Sequence, residues 1–356
     1  MKKRKNYMKP GGRFLIMIIV CIAILTNGCG SPKYVVTDRG QQAYYQTGYP
    51  VRDTSKDLER LFRSVKRINV TGHYNIYVFS PEAGITQAEL NNRNVFKEAE
   101  ETYTYMDTKA GTAIVVSSAQ NHTALLTNDH VVEFPDTLIR YFENPDGKKS
   151  PYIEQVSIRT HQINLIYDLP ELGSFEILAR DKTADLALIG VRHPRDEEMR
   201  RAPILRISPG QPQRLAWGSF TYILGYPKGY KMVTRGIVSD PNRDRRASFL
   251  LDATFNEGIS GGLVVAIRGD TGELEWIGMA RGGSASTELL LTPEELDPQD
   301  IDFLKPYDGD LYINLKQRIE YGITLSVSMK TIQRFFKDHE RELARRGYSF
   351  SRYLDN

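Results

Sequence analysis

The chain has 356 residues, 40% of them hydrophobic and 26% charged, with a formal net charge of +3. That length allows one large domain or two compact ones with a substantial core, and the composition excludes a disordered or collagenous chain. Lys2, Lys3, Arg4, Lys5, Lys9 and Arg13 outweigh the whole formal excess, so the remainder is slightly acidic and the basic balance gives no argument for a nucleic-acid partner.

The basic segment leads into twelve apolar residues, Phe14 to Leu25, and then Thr26-Asn27-Gly28-Cys29. Twelve helical residues reach about 18 Å against a hydrocarbon core of about 30 Å, so residues 1–28 read as a cleaved export signal, with an uncleaved anchor as the alternative. Gly28-Cys29-Gly30-Ser31-Pro32 resembles the lipobox of bacterial lipoproteins, although Leu25 lies one place early and Asn27 is unusual there. The resemblance implies a lipid on Cys29 and attachment in the bacterial cell envelope, facing the periplasm or the exterior, with Gly30 favouring the outer membrane. Cys21 and Cys29 are the two cysteines. The mature fold is therefore expected to have no disulfide and to be stabilised by burial.

Residues 29–53, rich in Gly, Pro, Gln and Tyr, read as a lipidated tether. From Thr54 the spacing of Leu58, Leu61, Phe62, Val65 and Ile68 predicts a helix with Thr54 or Ser55 as its cap. Asp57 and Glu59 interrupt its basic residues, which favours packing on the domain over lying on a membrane. Strand-like runs follow at 68–79, 111–117, 123–132, 155–159 and 174–191, and again at 214–224, 230–239, 248–254, 262–267, 274–279 and 322–327. Two sets of about six strands predict an all-β fold of two six-stranded antiparallel barrels. The first barrel, with the N-terminal helix, occupies 54–193 and the second 194–356, with the polar segment 193–201 as their connection. Residues 285–317, acidic and broken by Pro293, Pro298 and Pro306, read as an inserted surface loop, and 328–345 as a C-terminal helix.

Three short segments carry chemistry. Thr127-Asn128-Asp129-His130-Val131-Val132 places a histidine just after a strand, and Ala184-Asp185-Leu186-Ala187-Leu188-Ile189 places an acid at the mouth of an apolar one. Gly258-Ile259-Ser260-Gly261-Gly262 places a serine in a glycine-rich turn entering a buried strand. Taken singly, each has an ordinary structural reading: a core or surface histidine, a capping acid, a tight turn. Hydrolysis by a serine needs a base, a carboxylate that orients the base, and donors for an oxyanion, and the three segments offer all of these. His73, His122, His161, His193 and His339 lack such surroundings. No metal-ligand cluster, phosphate loop or dinucleotide fingerprint occurs, so no cofactor and no metal are expected.

In the order His, Asp, Ser, separated by 55 and 75 residues, these segments resemble the chymotrypsin clan, most of all its bacterial HtrA (Deg-type) branch. Tyr222-Ile223-Leu224-Gly225-Tyr226-Pro227 and Arg235-Gly236-Ile237-Val238-Ser239 are similar to the region of that branch between acid and serine. The resemblance covers about 68–340, and no PDZ module is read after it. It implies a trypsin-like serine endopeptidase with His130, Asp185 and Ser260 as catalytic residues and the N–H groups of Gly258 and Ser260 as the oxyanion hole. Protein or peptide substrates, in an envelope or quality-control setting, are the partners it implies. The alternative is an inactive trypsin-like module that binds a protein partner through the 285–317 loop.

Two departures qualify the resemblance. Ile259 stands where the family usually has Asp or Asn, which removes the ion pair of the digestive zymogens. It either packs beneath the turn or leaves the turn too loose for activity. The family geometry implies a substrate pocket walled by Thr254, Phe255, Ala280, Arg281, Gly282 and Gly283. No acid stands where trypsin selects Lys or Arg, so a small or medium apolar residue is expected, and an acidic one if the Arg281 guanidinium points inward.

Overall fold

The structure, a computed structural model, describes residues 43–50, 52–119, 121–144, 147–167, 173–192, 202–293, 309 and 311–354. The expected export signal, Cys29 and the expected connection at 193–201 lie outside the described residues. No helix among the described residues is long and apolar enough to cross a membrane.

Helix α1 (Ser55–Phe62) buries Leu61 and Phe62 and then stops, shorter than the sequence spacing predicts. Val65 and Ile68 instead belong to strand β1 (Val65–Val78), where β-branched Ile68 and Val70 occupy one buried face at the period of two. Strands β2 (Glu101–Ser118), β3 (His122–Thr127), β4 (Thr137–Glu143), β5 (Lys149–Ile166), β6 (Glu176–Asp181) and β7 (Leu186–Arg192) complete the first sheet. Its order is β4-β5-β1-β2-β3-β7-β6, every neighbouring pair antiparallel. The sheet curls until Leu165 on β5 bridges Ser174 just before β6, so six strands close at a single point and β4 extends outside them. The expected strand over 123–132 ends at Thr127, because the chain breaks at Asn128 into the one-turn helix α2 (Asp129–Val132).

The second sheet comprises β8 (Ser208–Pro209), β9 (Phe220–Gly225), β10 (Met232–Asp240), β11 (Phe249–Asp252), β12 (Leu263–Ile267), β13 (Leu274–Pro293) and β14 (Leu311–Ser328). Strands β12-β9-β10-β11-β14-β13 run in order and β12 pairs back with β13, which closes a six-stranded antiparallel barrel; β8 adds to β13 in parallel. The all-β architecture of two barrels, with a helix at each end, is the one expected.

At 285–293 and 311–317, inside the expected surface loop, the chain is strand. Beyond the barrel, β13 and β14 stay paired from Ser284↔Glu320 to Pro293↔Leu311 as a projecting ribbon. Leu289 pairs in register with Leu315, and Leu291 with Ile313. Residues 294–308 lie outside the described residues. Tyr45 and Gln46, expected within the tether, are instead joined to the second barrel. Tyr45 is buried, Gln46 N–H donates to the Ile267 carbonyl at 2.9 Å, and the Gln46 carbonyl accepts from Phe220 N–H at 2.7 Å.

One apolar cluster joins the barrels. It takes Leu61 and Phe62 from α1, Ile114 and Val116 from β2, Leu263 and Val265 from β12, and Ile332, Phe335, Phe336 and Leu343 from α3 (Met329–Arg345). Ser328 caps α3, its hydroxyl accepting from Thr331 N–H at 3.3 Å. The chain after α3 turns back, stacking Phe350 on Phe336 and placing Tyr353 so that its hydroxyl donates to the Leu205 carbonyl at 2.7 Å. With no cysteine among the described residues, this shared core holds much of one barrel on the other. Phe336→Ala should therefore cost about 3–5 kcal/mol in urea unfolding, and a loss below about 1 kcal/mol would contradict the assignment.

Candidate active site

The first barrel contributes the histidine and the aspartate. Asn128 lies extended at the end of β3, and its amide donates to the Asp185 carbonyl at 2.9 Å, tying the β6–β7 turn to the start of α2. In that turn Asp181 accepts from the N–H groups of Thr183 and Ala184, and Asp185 takes a left-handed backbone with φ 57°. The Asp185 carboxylate is thereby aimed at His130. Its Oδ1 accepts from His130 N–H at 2.9 Å, and imidazole Nδ1 lies 3.0 Å from Oδ1 and 2.9 Å from Oδ2. The carboxylate is 8% exposed and the imidazole 47%, so the acid is enclosed while the far side of the ring, carrying Nε2, faces the solvent side.

A charged cradle supports α2. Arg180 pairs bidentately with Asp129, whose side chain is 3% exposed, and also reaches Glu133 at 3.4 Å, while Lys182 pairs with Glu133. The hydrogen bond to Asp129 raises the Arg180 pKa above its ordinary value. The Lys182 ammonium holds the Glu133 carboxyl below the usual carboxylate range, partial burial opposing it and Arg180 adding to it. Lys109, from β2, donates to the carbonyls of His130 at 3.1 Å and Glu133 at 2.7 Å.

The second barrel contributes the serine. Ser260 sits in a turn between Gly258, at φ +92°, and Gly261, at φ +88°. A Cβ on Gly258 would strike the Tyr226 carbonyl and one on Gly261 the Thr112 carbonyl, so both positions require glycine. Within the turn, the N–H groups of Ile259, Gly261 and Gly262 donate to the carbonyls of Asn256, Ala280 and Ile259. Those of Gly258 and Ser260 have no backbone acceptor among the described residues. Ile259 is buried in the second barrel's core with Ile223, Val264 and Phe255, so it packs beneath the turn.

Sequence reasoning missed the residue that holds this turn against the first barrel. Thr112, on β2, donates its N–H to the Ser260 carbonyl at 2.8 Å and its hydroxyl to the Gly258 carbonyl at 2.6 Å. The same hydroxyl accepts from Tyr226 N–H at 2.9 Å. The available signal was a hydroxyl residue inside the apolar run from Gly111 to Val116, where a buried polar group needs partners.

His130, Asp185, Ser260 and Gly258 line one cleft of about 860 Å³ at the junction of the barrels. Ser260 is not hydrogen-bonded to His130; its hydroxyl donates to the Arg281 carbonyl at 3.3 Å, and Arg281 Nε donates to Asp185 Oδ2 at 3.1 Å. Of the residues named as pocket walls, Phe255, Arg281, Gly282 and Gly283 line the cleft. Ala280 does not: it is buried, its N–H and carbonyl joined to Gly262 and Gly261. Thr254 is not a lining residue either. The Phe255 ring lies so close over Gly283 that no methyl group would fit there. Of the other histidines, His122 bonds the Gly347 carbonyl, His73 stacks on His161, and His339 packs on Phe335; His193 lies outside the described residues. No metal-binding group of three His, Cys, Asp or Glu occurs among the described residues.

Residues 111–274 match the family model of the trypsin-like peptidase domain, a stretch that holds His130, Asp185 and Ser260. No curated protein sequence matches the chain. Among solved structures, the HtrA-type protease AlgW with a tripeptide is similar at a TM-score of 0.39 and 16% identity, over 81% of this chain and 64% of that one. The Rv3671c protease from M. tuberculosis, in its active form, is similar at a TM-score of 0.38 and 12% identity, over 85% and 93%. Deg5 is similar at a TM-score of 0.33 and 16% identity, over 65% and 88%. The chain thus spans 64% of the length of the HtrA-type protease.

The cradle makes two measurable demands. Arg180→Ala leaves Asp129 buried without its partner and should cost about 3–5 kcal/mol in guanidinium unfolding; a change within about 0.5 kcal/mol would contradict this. Glu133, with its folded pKa depressed, contributes stability that is present above the ordinary glutamate value of roughly 4.3 and is lost as pH falls through the folded value. Glu133→Gln should accordingly lower Tm at neutral pH and converge with the unaltered protein in strong acid, as followed by calorimetry across pH.

Proposed function

We propose that the chain is a serine endopeptidase that cleaves peptide bonds through an acyl-enzyme. The observation that supports this most is the Asp185–His130 pair, enclosed on the acid's side and open on the other, facing Ser260 across a single cleft. Ser260 is the nucleophile and His130 takes its proton and later gives it to the leaving amine. Asp185 fixes the imidazole tautomer and stabilises the imidazolium. The carbonyl oxygen of the substrate, as it becomes an oxyanion, lies against the N–H groups of Gly258 and Ser260, which the turn leaves without backbone acceptors. Attack requires the Ser260 hydroxyl to rotate from the Arg281 carbonyl to His130 Nε2. The match of residues 111–274 to the trypsin-like peptidase domain supports the same reading.

The proposed setting is the bacterial cell envelope, with a lipid on Cys29 as the anchor and unfolded or envelope proteins as substrates. That part rests on the export signal and lipobox resemblance of residues 14–32. A second reading, a catalytically silent module that binds a protein partner, draws support from one observation: the serine hydroxyl is bonded to Arg281 rather than to the histidine.

Proteolysis of unfolded casein by the chain from Cys29 onward separates the two. The enzyme reading expects cleavage that Ser260→Ala abolishes and His130→Ala lowers on the order of 10⁴-fold or more. Equal cleavage by the Ser260→Ala variant, or none by the unaltered fragment while it is folded, contradicts it.

A further inference from the structure

Arg281 touches both ends of the arrangement that the proposed mechanism needs. Its carbonyl accepts from the Ser260 hydroxyl at 3.3 Å and its Nε donates to Asp185 Oδ2 at 3.1 Å. Asp185 serves catalysis by favouring the imidazolium, and a guanidinium on the same carboxylate cancels part of that advantage. The resting cleft is thus held back by one residue, acting through its backbone on the serine and through its side chain on the acid.

The same side chain is placed to meet substrate. It is 46% exposed, it lines the cleft, and its two Nη groups have no hydrogen-bond partner among the described residues. Gly282 and Gly283 follow it and offer no side chain to cover it, while Phe255 fills the space over Gly283 that an apolar side chain would need. The two lysines that line the cleft are engaged: Lys182 with Glu133, and Lys109 with two backbone carbonyls. A planar fork whose outer donors bond no described residue suits a carboxylate, which can take it bidentately.

We propose, resting on the serine-endopeptidase reading, that Arg281 is the specificity-determining residue of this cleft. It selects substrates with a glutamate or aspartate at the residue that supplies the scissile carbonyl or at the one before it. When the substrate carboxylate captures the guanidinium, Asp185 is released to His130. The acidic residue therefore acts on the chemical step as well as on binding, and its benefit falls in kcat as well as in KM.

The test uses fluorogenic peptides identical except for Glu or Gln at either of those positions, with the full exported chain, Arg281→Gln and Arg281→Lys. The unaltered enzyme should favour the Glu peptide by about tenfold in kcat/KM, part of it in kcat. Arg281→Gln should bring that ratio to near unity while raising kcat on the Gln peptide, and Arg281→Lys, which keeps the charge without the fork, should retain part of the preference. Labelling by a fluorophosphonate that carries no peptide should be several-fold faster in Arg281→Gln. Glu and Gln peptides cleaved equally by the unaltered enzyme, or an undiminished ratio in a folded Arg281→Gln, would overturn this inference alone. Absence of both cleavage and labelling in the folded unaltered protein would overturn the endopeptidase reading and this inference with it.

Discussion

The cleft exists because one threonine joins two barrels at the turn that carries the serine. Thr112 satisfies the Ser260 and Gly258 carbonyls and the Tyr226 N–H with two of its own polar groups, and its carbonyl accepts from the Thr127 hydroxyl at 2.8 Å. Thr112 is fully buried, so losing its hydroxyl would leave a carbonyl and an amide without partners in a place water does not reach. Because Thr127 ends the strand that leads to His130, the same hydrogen-bond chain runs from the base of the first barrel to the serine of the second. Gly258 and Gly261 fit this junction because carbonyls of Tyr226 and Thr112 occupy the space a side chain would fill.

Charge is arranged in two groups around that junction. In the first barrel, Asp129 and Arg180 form a pair that anchors α2, and Lys182 holds Glu133 beside it. In the cleft, the Asp185 carboxylate is shared between His130 and Arg281. A buried pair loses much when broken, whereas the half-exposed Arg281 can change partner at modest cost.

The local motifs were legible because their chemistry demands fixed residue types: an acid and a histidine at strand ends, and glycines where backbone carbonyls crowd a turn. Ile259, which broke the family pattern, proves to be a core residue, its side chain replacing a polar anchor with burial. What was not legible depended on partners distant in sequence. The hold of Thr112 on residues more than 100 positions away has no local signature, and neither does the reach of Arg281 to Asp185. The pairing of 284–293 with 311–320 joins two segments separated along the chain, so a paired ribbon read as a loop. Tyr45 looked like part of a tether because its burial comes from Glu275 and Gln211, far along the chain.

On the proposed reading, His130 and Asp185 make the Ser260 hydroxyl a nucleophile. Mapping the site of covalent modification tests it most directly: the folded protein is treated with a fluorophosphonate, digested, and its peptides weighed by mass spectrometry. The account predicts a single phosphonyl adduct on Ser260 that disappears when the protein is first unfolded. An adduct on another residue, or none on the folded protein, would contradict it.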